Sequence, residues 1–309
     1  TQTLVGAMSS NLNPHQQYKL AYTHLHAGRY AQGFRQFEWR WHPEILANQT
    51  IPYKREPIKP KTWQGESLIG KSIVVQMEQG FGDIFQYARF LPALKVLGAS
   101  RLVVLCVPSL VYLLGQMECV DHFTNLTEEG VGNDCDYWIG SMSLPYDIDC
   151  SMPYVKALFP VTNRKIVGSE GYLEATPSNI PKRLGVNWSA SKGALRWIKS
   201  ISVEQMTELV GTDAYSLNPE DDGNFYPLPN DGWKQDWSKT ASHMKAMRGI
   251  VTVDTGTAHL AGALGVKCIV LLPKESFICW RWKNGSWYDS VLPLRQEEYD
   301  QIPDLIRRM

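Results

Sequence analysis

The sequence predicts an α/β chain in which a short helical hairpin precedes two units of alternating strands and helices. Three observations predict this class. Short apolar runs alternate with amphipathic segments from Trp63 onward, the alternation restarts after a loop-rich boundary at 176–181, and a glycine-containing turn follows a strand-like run in each unit. Such alternation gives parallel sheets covered by helices. The 309 residues are enough for about two domains of 100–200 residues each.

The first predicted element is a helical hairpin at residues 14–43. Residues 16–27 carry apolar side chains at three- and four-residue spacing, Gly28 interrupts them, and residues 30–41 repeat the pattern until Pro43 ends it. Small and aromatic residues at these offsets are typical of one tetratricopeptide unit, and a plain helical hairpin is the alternative. One unit cannot bury its own apolar face, so we expect it to dock on the rest of the chain or to end a longer array.

The two α/β units are separated from the hairpin by a proline-rich segment that ends at Pro60. The first unit, residues 63–175, is predicted to contain a strand at 72–77, a glycine turn at 78–82, a helix at 83–97, a strand at 101–107, a helix from Pro108 and a weaker strand at 136–139. The second unit, residues 182–296, is predicted to contain strands at 183–188, 214–217, 249–253 and 267–272 and helices at 202–210, 238–247 and 257–264. A helix at 297–309 ends the chain. Two such units place the expected ligand cleft at the carboxyl ends of their strands.

The first candidate site is the turn between Glu78 and Asp83, which follows a strand and opens a helix. Gly80 and Gly82 allow a tight turn and a close backbone approach to a ligand. The spacing differs from the G-x-G-x-x-G fingerprint, which disfavours a nicotinamide enzyme. Asp83 could accept a proton from a hydroxyl group in the cleft. The alternative is that Asp83 only caps the helix.

The second candidate site runs from Asp254 to His259 at the end of another strand and the start of another helix. Gly256, Thr257 and the residue after them offer backbone N–H groups and a hydroxyl to a phosphate, and His259 could reach the same anion. The alternative is a capped core helix with a hydrogen-bonded histidine. Convergence of polar groups on a glycine at a strand end favours the anion site.

A third candidate is the loop 189–200, which follows the first strand of the second unit. It carries three cations, Lys192, Arg196 and Lys199. A solvated charged loop is the usual interpretation of such a cluster. Because this loop lies at the same sheet edge as residues 254–259, we expect a clamp for a diphosphate instead.

Charge and motif content exclude several function classes. The 31 basic and 31 acidic side chains balance, which disfavours nucleic-acid binding. No apolar run approaches the roughly 18 residues that span a bilayer. Two D-x-D patterns, at 134–136 and 147–149, are short enough to occur by chance, so no metal site is expected. The six cysteines form no C-x-x-C pair, which predicts reduced thiols and a cytoplasmic location.

Three blocks carry a resemblance to a known family: 79–89 (QGFGDIFQYAR), 253–263 (VDTGTAHLAGA) and 280–296, with Trp280-Arg281-Trp282, Trp287-Tyr288 and Arg295-Gln296. Together they resemble bacterial proteins in which tetratricopeptide repeats precede a glycosyltransferase family 9 domain. That family includes ADP-heptose:lipopolysaccharide heptosyltransferases. The resemblance covers residues 18–296. The loop 189–200 departs from the pattern, because it has Lys199 where those proteins commonly have arginine and it lacks their acidic residue.

The resemblance implies a GT-B-like fold, in which two Rossmann-like domains face each other across a cleft. It implies metal-independent, inverting transfer of a sugar, with the nucleotide-sugar as co-substrate and no other cofactor. Asp83 matches the catalytic carboxylate. Four residues match the acceptor-side loop: Gly80, Phe81, Gly82 and Gln86. Seven residues match the phosphate-binding site of the donor: Lys199, Arg196, Asp254, Thr255, Gly256, Thr257 and His259.

The expected partners are a nucleotide-sugar donor and a glycan, lipid-linked or protein acceptor, with the hairpin as a candidate protein-contact surface. Two other functions remain open at this point. One is a non-catalytic module that binds sugar nucleotides or glycans, which the altered loop 189–200 favours. The other is a scaffold protein that acts through helical repeats.

Overall fold

The computed structural model describes residues 12–48, 60–126, 128, 130–145, 170–190, 196–220, 223–273, 278–283 and 287–309. Two predicted features lie outside these ranges, namely Lys192 of the third candidate site and the second D-x-D pattern at Asp147 and Asp149. Among the helices in the described ranges, none is long and apolar enough to cross a membrane. The described cysteines are all free thiols: Cys106, Cys119, Cys135, Cys268 and Cys279.

The N-terminal hairpin consists of helix α1 (Pro14–His26) and helix α2 (Tyr30–Phe37). Asn13 and Gln16 form a capping box at the start of α1, and Gly28 between the helices has a φ of 70°. Two boundaries differ from the prediction. The second helix tightens into a 3₁₀ turn at Glu38–Trp41. Pro43 begins helix α3 (Pro43–Asn48) instead of ending the hairpin, because proline is well tolerated in the first turn of a helix.

The first unit contains a parallel sheet. Among the described residues its strands are β1 (Lys61–Thr62), β2 (Ser72–Gln76), β3 (Arg101–Cys106), β4 (His122–Asn125) and β5 (Tyr137–Gly140), in the order β1-β5-β2-β3-β4. The central strand β2 pairs with β3 and β5 in parallel. Sequence analysis missed β1 and β4, which lie at the two edges and bury few side chains. Helix α6 (Val111–Leu114) connects β3 to β4.

The helix predicted at 83–97 is two helices, α4 (Phe81–Ala88) and α5 (Leu91–Val96). Pro92 stands in the first turn of α5. A proline at this point cannot donate a hydrogen bond to a preceding turn, so one continuous helix is disfavoured. Helix α4 begins two residues earlier than predicted, with Gly80 at its N-cap. Asp83 is therefore the third residue of the helix, and the interpretation that it is only a cap is wrong.

The second unit repeats the parallel arrangement. Its strands among the described residues are β6 (Leu184–Asn187), β7 (Ala214–Ser216), β8 (Gly249–Val253), β9 (Cys268–Leu271) and β10 (Val291–Leu294), in the order β10-β9-β8-β6-β7. Its helices are α7 (Arg196–Lys199), α8 (Val203–Val210), α9 (Trp237–Ala246), α10 (Gly256–Ala263), α11 (Trp280–Lys283) and α12 (Ile302–Arg307). Sequence analysis missed β10, which contains Pro293 and lies at a sheet edge, where proline is tolerated.

The segment between the units is bound to both of them. The backbone N–H groups of Tyr172 and Leu173 donate to the carbonyl of Ala263 at 2.7 and 2.8 Å. The Tyr172 hydroxyl donates to the carbonyl of Phe85 at 2.5 Å. Helix α4 of the first unit and helix α10 of the second are therefore joined through one tyrosine, which keeps the two turns before them close together.

The hairpin docks on the rest of the chain. Tyr30 and Phe34 contact the rings of Trp280 and Trp287 at centroid distances of 6.0 to 6.4 Å. Its apolar face is thus covered by the second unit. Of the two alternatives expected for the hairpin, these contacts show docking on the rest of the chain.

Candidate active-site cleft

A cleft of about 960 Å³ lies where the two units meet, at the carboxyl ends of β2, β6 and β8. Eleven of the twelve residues that the family resemblance matches line it: Gly80, Phe81, Gly82, Asp83, Arg196, Lys199, Asp254, Thr255, Gly256, Thr257 and His259. The parallel strands explain this convergence, because their carboxyl ends share one edge of each sheet. The twelfth candidate, Gln86, does not reach the cleft.

The turns that start α4 and α10 touch each other. A Cβ atom added to Gly82 would lie 2.8 Å from Cδ2 of His259 and 3.5 Å from Cα of Gly256. A side chain at this position would therefore require the buried His259 ring to shift. The close approach of the two units thus favours glycine at position 82.

A buried ion pair supports the turn before α4. Arg40, from the 3₁₀ turn of the hairpin, donates from Nε and Nη2 to the two carboxylate oxygens of Glu78 at 3.0 Å each. The guanidinium also donates to Ser143 Oγ at 2.6 Å. Arg40 is 2% exposed. The neighbouring residue, Gln79, has a φ of 64°. This conformation is uncommon for a residue other than glycine, and the bonds of Glu78 help to fix it.

Asp83 faces the cleft and is paired with a cation from the other unit. Nη2 of Arg281 lies 2.5 Å from Asp83 Oδ1. The Asp83 side chain remains 27% exposed, so the carboxylate is open to a molecule in the cleft. In the sequence, Arg281 was recognised only as part of the Trp-Arg-Trp block. Its position between two buried tryptophans was the available signal, because a charged residue in an apolar block needs a partner.

Gln86 was predicted on the acceptor-side loop, and the structure corrects this. It lies on the buried face of α4, with no exposed surface. Its Oε1 accepts a hydrogen bond from Nε of Arg281. Asp83 and Gln86 are three residues apart and so share one face of the helix, where both contact the same guanidinium.

The start of α10 presents backbone N–H groups to the cleft. Thr255 is its N-cap residue and makes no side-chain capping bond. Nδ2 of Asn187, at the end of β6, donates to Oγ1 of Thr257 at 3.1 Å. Free N–H groups and the positive end of an eight-residue helix form a suitable anion site. Asn187, which sequence analysis missed, links this helix to the neighbouring strand.

Asp254 and Lys199 form an ion pair at the same edge. Lys199 Nζ lies 2.7 Å from Asp254 Oδ2, and Trp282 Nε1 donates to Asp254 Oδ1 at 2.8 Å. Lys199 is 25% exposed, whereas Asp254 is 4% exposed. The carboxylate therefore faces the protein interior and holds the lysine at the cleft surface. Its part in the predicted phosphate site is indirect.

His259 is buried and neutral. Its Nδ1 lies 3.1 Å from the Tyr288 hydroxyl, and its ring stacks on Trp282 at a centroid distance of 5.0 Å. Burial, followed by the charge of Arg281, lowers the pKa of His259 to about 3. His259 is therefore uncharged at neutral pH. The ring can still offer a neutral N–H group to a ligand.

The outer part of the cleft carries another ion pair and an aromatic wall. Nη2 of Arg196 lies 2.8 Å from Oε2 of Glu220. Phe81 is 38% exposed and contacts Trp237 at a centroid distance of 5.0 Å. Two positively charged candidates, Arg196 and Lys199, and an aromatic pair, Phe81 and Trp237, thus line the same cleft.

The first D-x-D pattern is remote from the cleft. Asp134 pairs with Arg101 at 2.5 Å, and Asp136 pairs with Lys71 at 3.1 Å. Both aspartates precede β5, at the end of the sheet opposite the cleft. Searched over the described parts of the chain, His, Cys, Asp and Glu side chains form no group of three that could hold a metal ion.

Comparison with known proteins gives matches in structure alone. No protein-family model matches the sequence, and no curated protein does. A glycosyl transferase family 9 structure from Veillonella parvula DSM 2008 is 13% identical, with a TM-score of 0.51 over 80% of this chain and 92% of that one. E. coli heptosyltransferase WaaC with ADP is 10% identical, with a TM-score of 0.51 over 76% and 99% of the two chains. At these identities the likeness shows the fold, which is GT-B-like.

Proposed function

We propose that the chain is a glycosyltransferase that moves a sugar from a nucleotide-sugar donor to an acceptor hydroxyl in the cleft. One observation carries the proposal. The Asp83 carboxylate, whose side chain is 27% exposed, lines the same cleft as Lys199 and the start of α10, which supports a base in Asp83 and a diphosphate site in the other two. A base on one side and a diphosphate site on the other are the two groups that such a transfer needs.

The donor side is built for a diphosphate. Lys199 supplies a positive charge at the cleft surface, and the α10 amides from Gly256 onward supply hydrogen-bond donors. Hydrogen bonds to charged groups are worth about 1.5–3 kcal/mol each. Because these groups already supply the positive charge, we propose that the diphosphate is held without a metal ion.

The reaction follows from the positions of these groups. The acceptor oxygen attacks the anomeric carbon while Asp83 takes the hydroxyl proton. The bond between the anomeric carbon and the phosphate oxygen breaks, and its electron pair leaves with the nucleoside diphosphate. Lys199 and the α10 amides stabilise this growing negative charge. A single displacement inverts the configuration of the anomeric carbon.

The donor class is tested by ligand-induced stabilisation. WaaC was solved with ADP, so we propose ADP-heptose as the first donor to assay, with UDP and GDP sugars as alternatives. A true ligand at about 100 times its dissociation constant adds about 2.7 kcal/mol to the free energy of unfolding. A thermal-shift screen of ADP, UDP, GDP and their sugars identifies the base.

We also propose a cytoplasmic location and a glycan, lipid-linked or protein acceptor. The free described cysteines are in keeping with a reducing compartment. The hairpin remains a proposed tetratricopeptide-like unit. Its docked face is covered by Trp280 and Trp287, so any protein contact would use the opposite face.

Replacement of Asp83 tests the function directly. Asp83→Asn keeps the shape of the side chain but cannot take the proton. We expect unchanged nucleotide binding and a loss of transfer of about 10²–10⁴-fold, the usual contribution of a positioned base. The matched control is Asp213→Asn, which removes a carboxylate from the Arg183 ion pair far from the cleft. Normal transfer by Asp83→Asn would overturn the assigned mechanism.

One observation favours a binding module as the second candidate. Asp83 Oδ1 is already engaged by Arg281, so this oxygen is not available to the hydroxyl group of an acceptor. If the chain is a binding module, the wild-type protein binds a nucleotide sugar but neither transfers nor hydrolyses it. Calorimetry together with an assay of released nucleotide separates the two functions.

A further inference from the structure

Resting on the proposed function, we propose that Arg281 is a positioning residue that orients Asp83 across the interface between the two units. Its guanidinium engages Oδ1 of Asp83. This leaves Oδ2 as the oxygen that takes the proton from the acceptor. Arg281, which orients the proposed base, therefore belongs to the second unit, the same unit that carries the proposed donor site.

Each of the three guanidinium nitrogens of Arg281 donates a hydrogen bond to a different residue. Nη2 donates to Asp83 Oδ1, Nε donates to Gln86 Oε1, and Nη1 donates to Cys279 Sγ at 3.3 Å. Its Cζ also lies 4.8 Å from the ring centroid of Trp280. A planar guanidinium with fixed donors imposes one orientation on the carboxylate it binds. A lysine in this place would supply charge without that orientation.

Burial makes this pair different from an ordinary surface ion pair. The Arg281 side chain is 14% exposed, and Gln86 is fully buried. Burial opposes the charge, but Asp83 and Cys279 outweigh it and hold the pKa of Arg281 well above its ordinary value. Arg281 thus stays charged and cannot itself accept a proton, so it acts through Asp83.

Three consecutive residues of α11 contact three different parts of the molecule. Trp280 packs against Phe34 of the hairpin, Arg281 binds Asp83, and Trp282 donates to Asp254, whose other oxygen holds Lys199. Trp280 and Trp282 are 2% and 3% exposed. The two tryptophans anchor the short helix, and this anchoring fixes where the guanidinium between them can reach.

The activity experiment compares Arg281→Gln and Arg281→Lys with the wild-type protein. The matched control is Lys283→Gln, which removes an exposed cation from the same helix. We measure ADP binding by calorimetry and kcat and KM for ADP-heptose. For Arg281→Gln we expect kcat to fall by about 10²-fold, the effect of a small misplacement of a reacting group, with ADP affinity unchanged. Arg281→Lys should be intermediate, and Lys283→Gln should match the wild type.

A double substitution separates positioning from structural support. If Arg281 acts through Asp83, Asp83→Asn with Arg281→Gln should be no slower than Asp83→Asn alone. Independent structural damage would instead multiply the two losses. A multiplied loss, or a normal kcat in a folded Arg281→Gln variant, overturns the proposal.

Hydrogen exchange tests the contact without relying on turnover. Loss of the Arg281 contacts should increase exchange of the amides of α4 in both Arg281→Gln and the milder Arg281→Lys, relative to Lys283→Gln. Unchanged exchange in both Arg281 variants overturns the proposal. Absence of turnover in the wild-type protein with every donor refutes the proposed function instead, and the exchange result then decides whether Arg281 orients Asp83.

Discussion

His259 shows how packing changes the chemistry of a single residue. Its ring is 6% exposed and is enclosed by Trp282 and Tyr288. Because burial and Arg281 lower its folded-state pKa to about 3, it is uncharged at neutral pH. The pattern of residues 254–259 indicates an anion site, and in the proposed site Lys199, not His259, would supply the positive charge.

The pH dependence of stability follows from this shift. The folded-state pKa of His259, about 3, lies below the unfolded value of about 6.5. Between these values the unfolded chain binds more protons, so stability is lost as the pH falls through this window. From pH 7 to pH 5 the wild type should lose about 2 kcal/mol more than His259→Gln.

Urea unfolding at the two pH values measures this difference. His122→Gln is the control, because His122 is exposed and its replacement should leave the pH dependence as it is. Equal pH dependence in wild type and His259→Gln would show that the histidine is not buried in its neutral form.

At the scale of elements, the two helix starts are placed against each other. Gly82→Ala should lower the free energy of unfolding by about 1–3 kcal/mol, the usual effect of overpacking, because its Cβ meets His259 at 2.8 Å. Gly80→Ala is the control, since its Cβ would have Asp83 Oδ2 at 3.9 Å as the one neighbour within 4 Å. Urea unfolding compares them, and equal stability of the two variants would contradict the close approach.

The hairpin is attached to the turn before α4 by the Arg40–Glu78 pair. Arg40→Ala would leave the Glu78 carboxylate, which is 7% exposed, without its cation. Breaking a buried pair in this way typically costs about 3–5 kcal/mol. Chemical denaturation of Arg40→Ala should show a loss of this size. The control is Arg29→Ala, which removes an exposed arginine of the same hairpin and should change the free energy of unfolding very little. An equally small change for Arg40→Ala would show that the ion pair does not attach the hairpin.

At the scale of the whole molecule, we propose that the transfer is independent of metal ions. The positive charges near the donor site are provided by protein groups, chiefly Lys199 and the start of α10. We expect transfer to persist after dialysis against excess EDTA. Loss of transfer in chelator, with recovery on addition of manganese, would instead show that a metal ion holds the diphosphate.

The order of strands and helices could be predicted because it depends on neighbouring residues. Apolar runs such as 249–253 and the glycine turns after β2 and β8 are local patterns. Parallel strands then bring their carboxyl ends to one edge, which predicted the proximity of Lys199 and Asp254. The edge strand β4 was missed because few of its side chains are buried, and the edge strand β10 was missed because it contains Pro293.

Local patterns thus predicted the fold class, the two turns and the cleft that contains Asp83. Tertiary packing alone decided the pairing of Asp83 with Arg281, 198 residues away in sequence, and the inward orientation of Asp254. It also decided that Gln86 lies beneath the cleft and that His259 is neutral. The physical reason is that periodicity reflects short-range backbone geometry, whereas ion pairing and desolvation depend on which distant side chains are packed around a group.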